Sequence, residues 1–79
     1  MKNKLIELRD QIDSIDKSIV NLLEKRIKIV KKIGQLKNKN NLPLFDKSRF
    51  SEVMKSKRGF MKEIWQIIHE ESLKIEKEI

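Results

Sequence analysis

The chain of 79 residues contains no cysteine, one proline, two glycines and four aromatic residues. Without cysteine, disulfide bonds cannot stabilise the fold, and a single histidine leaves no ligand set typical of a structural zinc site. Because the few aromatic residues do not alternate with basic ones, a stacking surface for single-stranded nucleic acid is disfavoured. No segment approaches the roughly 20 apolar residues of a membrane span. The first residues do not resemble a secretory signal, so we expect a cytoplasmic protein.

The size and the charge of the chain narrow the alternatives further. A chain of this length is expected to form one domain over residues 1–79. Its 19 Lys and Arg residues exceed its 12 Asp and Glu residues, which gives a formal net charge of +7. Such an excess suits nucleic acid, a membrane surface or a small acidic ligand, although much of it can also be ordinary solvated surface.

A long helix is predicted for the first half of the chain. Residues 2–40 keep a helical spacing of apolar residues and contain no proline. The asparagines within residues 38–41, followed by Pro43, end this helix, because a residue before proline is pushed out of the helical conformation. Such a helix is roughly 55–60 Å long, whereas a compact domain of this size has a radius of gyration of about 12 Å. The helix must therefore extend beyond any single-chain core.

The apolar face of this helix is broad. A second series, repeating every seven residues, lies beside the main stripe and consists of Leu8, Ile15, Leu22, Ile29 and Leu36. A face of this width can contact two neighbours. We therefore predict an intertwined homodimer in which the two long helices pack together.

Two further helices are predicted after Pro43. Asp46 is a favourable N-cap for a helix that runs to about Lys57. Gly59 suits a chain reversal, and residues 60–79 return to helical spacing. No segment resembles a strand. The predicted fold class is therefore all-α, with one long, one short and one medium helix.

A single line of side chains along the first helix gives the clearest functional signal. Alternating steps of four and three residues define the line Leu5, Arg9, Ile12, Asp16, Ile19, Leu23, Arg26, Val30, Ile33 and Lys37. A buried stripe would be apolar throughout. Arg9, Arg26 and Lys37 interrupt it with cations, which cannot be left unpaired in a core. The pattern predicts that these residues face a bound anion.

The spacing of the three cations indicates how they could hold a ligand. Arg9 and Arg26 are 17 residues apart, about 25 Å along a helix, so one small ligand cannot contact both in one chain. An antiparallel partner chain could bring the partner's Arg9 beside Arg26. Arg26 and Lys37 are 11 residues apart, about 16 Å, and point the same way. They could hold a small dicarboxylate between them.

Several segments resemble those of one enzyme family. These segments are 8–16 (LRDQIDSID), 22–26 (LLEKR), 33–37 (IGQLK) and 43–49 (PLFDKSR), with Glu71, Ser72 and Glu76 later in the chain. Their residues and spacings resemble the all-helical (AroQ class) chorismate mutases over nearly the whole chain. The resemblance implies a chorismate mutase II-like fold and a Claisen rearrangement of chorismate to prephenate, which feeds phenylalanine and tyrosine synthesis. That reaction needs no nucleophile, metal or cofactor.

The resemblance also implies roles for the cations of the first helix and for two residues near the second. Arg26 of one chain and the partner's Arg9 would bind the two carboxylates of chorismate, since bidentate guanidinium pairing fixes orientation as well as charge. Lys37 would lie at the ether oxygen of the breaking bond. Asp46 and Arg49 would line the side of the ring hydroxyl.

Two residues of the third helix complete the implied site. Ser72 would contact the ring carboxylate, and Glu76 would be a second hydrogen-bond donor to the ether oxygen. Glu76 would thus act with Arg26 and Lys37 in catalysis. Many family members have glutamine at this position, and a carboxylate must be protonated before it can donate a hydrogen bond. We therefore expect an activity that falls as the pH rises.

Departures from the family pattern leave alternatives open. Phe50 stands where the family usually has a glutamate that binds the ring hydroxyl. Related isochorismate-pyruvate lyases also lack that glutamate, although Asp46 is more typical of a mutase. The connection between the second and third helices is shorter than is common in the family. A non-enzymatic alternative is a basic helical dimer that binds nucleic acid through solvent-facing lysines.

The remaining aromatic residues and the histidine have no functional role in this interpretation. Phe45, Phe60 and Trp65 are expected to be packing residues. His69 is the only histidine, so it cannot form the His-Glu-x-x-His zinc pattern. It is expected to lie on the surface.

Overall fold

The computed structural model describes residues 2–78, which form three helices joined by short loops. The helices are α1 (Lys2–Lys39), α2 (Lys47–Lys55) and α3 (Met61–Lys77). No strand occurs in this range, and the predicted all-α class with a long, a short and a medium helix is confirmed. Ile79, the last residue of the predicted third helix, lies outside the described residues. Across residues 2–78, no helix combines the length and apolar character that crossing a membrane requires.

α1 is terminated by a residue in the left-handed conformation. Asn41 has a φ of 55°, which asparagine tolerates better than most residues do. Its amide donates to the carbonyl of Asn38 at 3.3 Å, and the amide of Leu42 donates to the carbonyl of Lys37 at 2.8 Å. This pair of bonds defines a Schellman motif. The predicted asparagine-rich helix end is confirmed, and the chain turns directly beyond Lys37.

Local signals also set the limits of α2. Asp46 has an extended backbone, and its side chain accepts a hydrogen bond from the amide of Arg49 at 3.0 Å, as an N-cap does. Gly59, in the turn before α3, has a φ of 58°, which glycine adopts without steric penalty. The predicted cap and chain reversal are confirmed, although α2 ends at Lys55 rather than near Lys57.

The interior that the three helices share is small and partly polar. α3 packs against both α1 and α2. Among residues 3–78, Val30 is the only hydrophobic residue that is buried, with 6% of its surface exposed, and the polar residues Ser72 and Glu76 are buried as well, each 9% exposed. Buried polar and charged groups need partners. The buried Ser72 and Glu76 therefore mark this face of α3 as a candidate functional site.

α1 leaves a large apolar surface exposed. The chain extends over 59 × 24 × 14 Å with a radius of gyration of 16.8 Å, against about 12 Å for a compact chain of this length. Its surface area is 7152 Å², whereas a compact monomer of this mass exposes about 5,000 Å². Eight large apolar side chains of its N-terminal part are 45–62% exposed: Leu5, Ile6, Leu8, Ile12, Ile15, Ile19, Val20 and Leu22.

Candidate active site

One cavity gathers six of the seven predicted site residues. It has a volume of about 310 Å³ and lies where α3 faces α1 and α2. The six residues are Arg26, Lys37, Asp46, Arg49, Ser72 and Glu76. Two come from α1, two from the beginning of α2 and two from α3. The volume falls at the lower end of the range typical of small-molecule sites.

Lys37 is held by α3 and by the loop that follows α1. Its Nζ donates a hydrogen bond to the carbonyl of Leu44 at 2.6 Å and lies 2.7 Å from Oε1 of Glu76. The contact with Glu76 is a charge contact without hydrogen-bond geometry, since Oε1 accepts no hydrogen bond from the described residues. The two side chains are 19% and 8% exposed. Because water is largely excluded, this pair is screened less than a surface pair.

Arg26 is positioned by α3. Its Nη1 donates to Oγ of Ser72 at 2.6 Å, and the Ser72 hydroxyl donates its own hydrogen to the carbonyl of Ile68 at 2.7 Å. The serine thus uses its hydrogen on the helix and accepts from the guanidinium. Within residues 2–78, no carboxylate forms an ion pair with Arg26. The guanidinium therefore has donors available for an anionic ligand.

Asp46 and Arg49 line the cavity but are exposed and already have partners. Oδ1 of Asp46 accepts from the amide of Arg49 as the cap of α2. Nη1 of Arg49 lies 2.8 Å from Oε1 of Glu52, with side chains that are 66% and 73% exposed. A solvent-exposed pair of this kind contributes at most about 1 kcal/mol. This side of the cavity is therefore held less firmly than the side formed by α1 and α3.

Arg9 is the one predicted site residue that lies away from the cavity. It is exposed on α1, 17 residues before Arg26 and about 25 Å from it along the helix axis. A straight helix cannot bring the two residues together, as their spacing predicted. Only a second chain could place an Arg9 at this cavity.

The charges around the cavity favour an anionic ligand. The charged residues are three cations and two carboxylates: Arg26, Lys37, Arg49, Asp46 and Glu76. Their net positive charge of one is too small to neutralise a dicarboxylate, so a further cation would strengthen its binding.

In the part of the chain that the structure describes, no cluster of three or more His, Asp or Glu side chains is suited to hold a metal ion.

His69 lines the same cavity, which the sequence interpretation missed. It is half-buried, and its ring centroid lies 4.3 Å from that of Phe50 and 5.7 Å from that of Phe45. The expectation that His69 lies on the surface is wrong because the two phenylalanine rings cover it. A signal was available in the sequence: His69, Ser72 and Glu76 are separated by three and four residues, so they share one face of α3.

The other aromatic residues divide into two groups. Trp65 is half-buried and also lines the cavity, and Nζ of Lys57 lies 4.6 Å from its ring centroid. Phe45 contacts Phe50 with the ring centroids 6.1 Å apart. Phe60, by contrast, is 64% exposed, so its expected packing role is wrong for the described chain.

The three helices and the cavity lined by arginine and lysine place this chain among helical proteins whose sites suit small anions. Within that class, the sequence profile of the chorismate mutase type II family matches residues 8–77. The chain belongs to this family. The resemblance to the all-helical chorismate mutases is thereby confirmed, and the match extends over most of α1 and all of α2 and α3.

Individual relatives are similar over much of this chain. The T-protein of Enterobacter agglomerans is 40% identical over 58 residues, which are 73% of this chain but 16% of that protein. A chorismate mutase of Methanocaldococcus jannaschii is 33% identical over 63 residues, 80% of this chain and 64% of that protein. Among solved structures, a conserved hypothetical protein from Pyrococcus furiosus is 40% identical with a TM-score of 0.86, covering 92% of this chain and 95% of that one.

Proposed function

We propose that this chain is a chorismate mutase that converts chorismate to prephenate. The observation that supports this most strongly is the single cavity in which Arg26, Lys37, Ser72 and Glu76 converge. The relatives named chorismate mutase share its family. In the rearrangement the ether C–O bond breaks while a C–C bond forms within one molecule. No group is transferred, so the site has to orient the substrate and to stabilise charge.

The contacts on α1 and α3 suit these two tasks. The guanidinium of Arg26, held by Ser72, binds a substrate carboxylate and fixes its direction. The ammonium of Lys37, held by Leu44 and Glu76, stabilises the negative charge that develops on the ether oxygen. A donor fixed before the reaction needs little reorganisation in the transition state. Asp46 and Arg49 line the more open side, toward the substrate ring.

The active unit in this proposal is a homodimer. The exposed apolar side chains of α1 are buried when two long helices pack together, which the hydrophobic effect favours. An antiparallel arrangement brings the partner's Arg9 to the cavity and supplies the missing cation for the second carboxylate. Sedimentation equilibrium is expected to give about twice the mass of the 9.5 kDa chain. The cytoplasmic location inferred from the sequence stays a prediction.

Product analysis tests the proposed reaction. Chorismate and isochorismate are offered separately to the purified protein, and the products are identified by chromatography and mass spectrometry. We expect prephenate from chorismate. Pyruvate released from isochorismate, without prephenate from chorismate, would instead support the lyase alternative that Phe50 leaves open. Conversion of neither substrate would contradict the enzymatic proposal.

Replacing Glu76 by glutamine is expected to remove the pH dependence of the reaction. Glu76 can donate to the ether oxygen only in its protonated form, because a carboxylate only accepts hydrogen bonds. The kcat/KM of the wild type is therefore expected to fall as the pH rises. The side-chain amide introduced by Glu76→Gln donates at every pH. The kcat/KM of this variant should therefore not change with pH, and it should exceed the wild-type value at the highest pH measured.

Steady-state kinetics measured from about pH 5 to pH 8 compare the two proteins. Glu71→Gln is the matched control, because Glu71 is an exposed carboxylate on the same helix, paired with Lys74 at 3.1 Å. It should keep the wild-type profile. A flat wild-type profile, or the same slope in Glu76→Gln, would count against a donor role for Glu76.

A further inference from the structure

His69 gives the cavity a polar group to which the proposed mechanism assigns no task. The side chain lines the cavity and is half-buried. Its imidazole forms no hydrogen bond with any residue in the range 2–78. A ligand that displaces water from such a group must replace its hydrogen bonds or lose affinity. We propose that His69 is a substrate-binding residue that hydrogen-bonds the ring hydroxyl of chorismate.

The aromatic contacts of His69 support this assignment. Phe50 and the imidazole are 4.3 Å apart between centroids with a tilt of 49°, and Phe45 contacts the same imidazole edge-on at 5.7 Å. Two rings that pack against the imidazole restrict its orientation. Phe50 itself offers no hydrogen bond, so His69 supplies a polar group on the wall that Phe50 makes apolar. This inference rests on the proposed function, because the hydroxyl belongs to chorismate.

The other polar residues toward α2 are less suited to this task. Asp46 uses Oδ1 to cap α2, and Arg49 is paired with Glu52 and largely exposed. A neutral imidazole has one donor and one acceptor nitrogen, as a hydroxyl group also does. An imidazole in this form can therefore donate to the hydroxyl or accept from it.

The position of His69 on α3 places it on the same face as Glu76, so both side chains can lean into one cavity. His69 and Glu76 are seven residues apart, about 10.5 Å along the helix axis, with Ser72 between them on the same face. In chorismate the hydroxyl and the ether oxygen are on neighbouring ring carbons. Glu76 can approach the ether oxygen from one end of this face while His69 approaches the hydroxyl from the other. In isochorismate the hydroxyl is on a different ring carbon, so His69 would favour chorismate.

Two substitutions at position 69 test the hydrogen bond. His69→Leu introduces an apolar side chain of similar reach and removes both ring nitrogens. His69→Gln retains one hydrogen-bond donor group and one acceptor. We expect His69→Leu to lower kcat/KM for chorismate about tenfold, which corresponds to about 1.4 kcal/mol. His69→Gln should recover most of this loss. Glu70→Ala, an exposed neighbour, is the control, and circular dichroism verifies that all variants are helical.

A chorismate analogue with hydrogen in place of the ring hydroxyl separates this contact from a general packing effect. Used as an inhibitor, it should bind the wild type and His69→Leu with the same affinity. If His69→Leu converts chorismate as well as the wild type does, or if it loses the same affinity for the analogue, the inference is overturned while the proposed function stands. If the wild type itself does not convert chorismate, the proposed function fails, and the assignment of His69 fails with it.

Discussion

A Lys37→Ala variant is expected to lose chorismate turnover by about 10²–10³-fold in kcat while keeping its three helices. The ammonium of Lys37 is the only cation that the described contacts hold in place by both a backbone carbonyl, at 2.6 Å, and a carboxylate, at 2.7 Å. In the proposed mechanism, alanine removes the charge that stabilises the ether oxygen as its bond breaks. Steady-state kinetics and circular dichroism measure the two parts of this result.

Lys37→Ala has a second consequence, because it leaves the carboxylate of Glu76 buried without a cation. Removing one partner of a largely buried pair should lower the free energy of unfolding by about 2–4 kcal/mol. The double variant Lys37→Ala/Glu76→Gln replaces that carboxylate with a neutral amide. It should recover much of the stability in urea unfolding but none of the turnover.

This comparison separates catalysis from folding. Lys31→Ala is the matched control, because Lys31 is an exposed lysine of α1 that does not line the cavity, and its kcat should stay within about twofold of wild type. If Lys37→Ala/Glu76→Gln regained both stability and turnover, the loss in the single variant would be a folding defect, and Lys37 would have no role in the chemistry.

The helices were predictable because their signals are local. Asp46 accepts from an amide three residues later, and Asn41 and Gly59 take the left-handed conformation within their own turns. Each signal depends on neighbours along the chain rather than on packing. The cations of α1 were predictable for a similar reason, since the period of a helix fixes which face they share.

The side of the cavity formed by Phe50 and His69 was harder to predict because it depends on packing between helices. The contact between Phe50 and His69 joins α2 to α3 across a turn, and neither periodicity nor capping indicates how the two helices meet. His69 was consequently interpreted as a surface residue. The interactions of Arg26 with Ser72 and of Lys37 with Glu76 join α1 to α3. Helix spacing placed Arg26 and Lys37 on one face, but only the family resemblance placed Ser72 and Glu76 beside them.

Replacing Arg9 by alanine is expected to lower kcat/KM roughly 100-fold, because a charge-assisted guanidinium–carboxylate pair contributes about 3 kcal/mol. This effect is expected although Arg9 is exposed and lies about 25 Å along α1 from Arg26. Secondary structure should be unchanged, since the residue makes no hydrogen bond or ion pair with the rest of the described chain. Kinetics with the purified variant measure the loss.

Arg26→Ala should be similarly inactive, because it removes the other guanidinium of the same site. Ser72 then loses the hydrogen bond from Arg26 but still donates to the carbonyl of Ile68 at 2.7 Å, so the fold should persist. Each variant alone is expected to form dimers in which both sites lack one guanidinium. In Arg26→Ala each site lacks the arginine of its own chain, whereas in Arg9→Ala each site lacks the arginine supplied by the partner chain.

Mixing the Arg9→Ala and Arg26→Ala chains tests most directly whether one site is built from two subunits. When the two proteins are unfolded and refolded together, half of the dimers should contain one chain of each kind. In such a dimer one site has both arginines and the other has neither, because the sites are related by two-fold symmetry. The mixture should therefore regain about one quarter of wild-type turnover. Turnover that stays at the level of the separate variants, although mixed dimers are detected by mass spectrometry, would contradict a shared site.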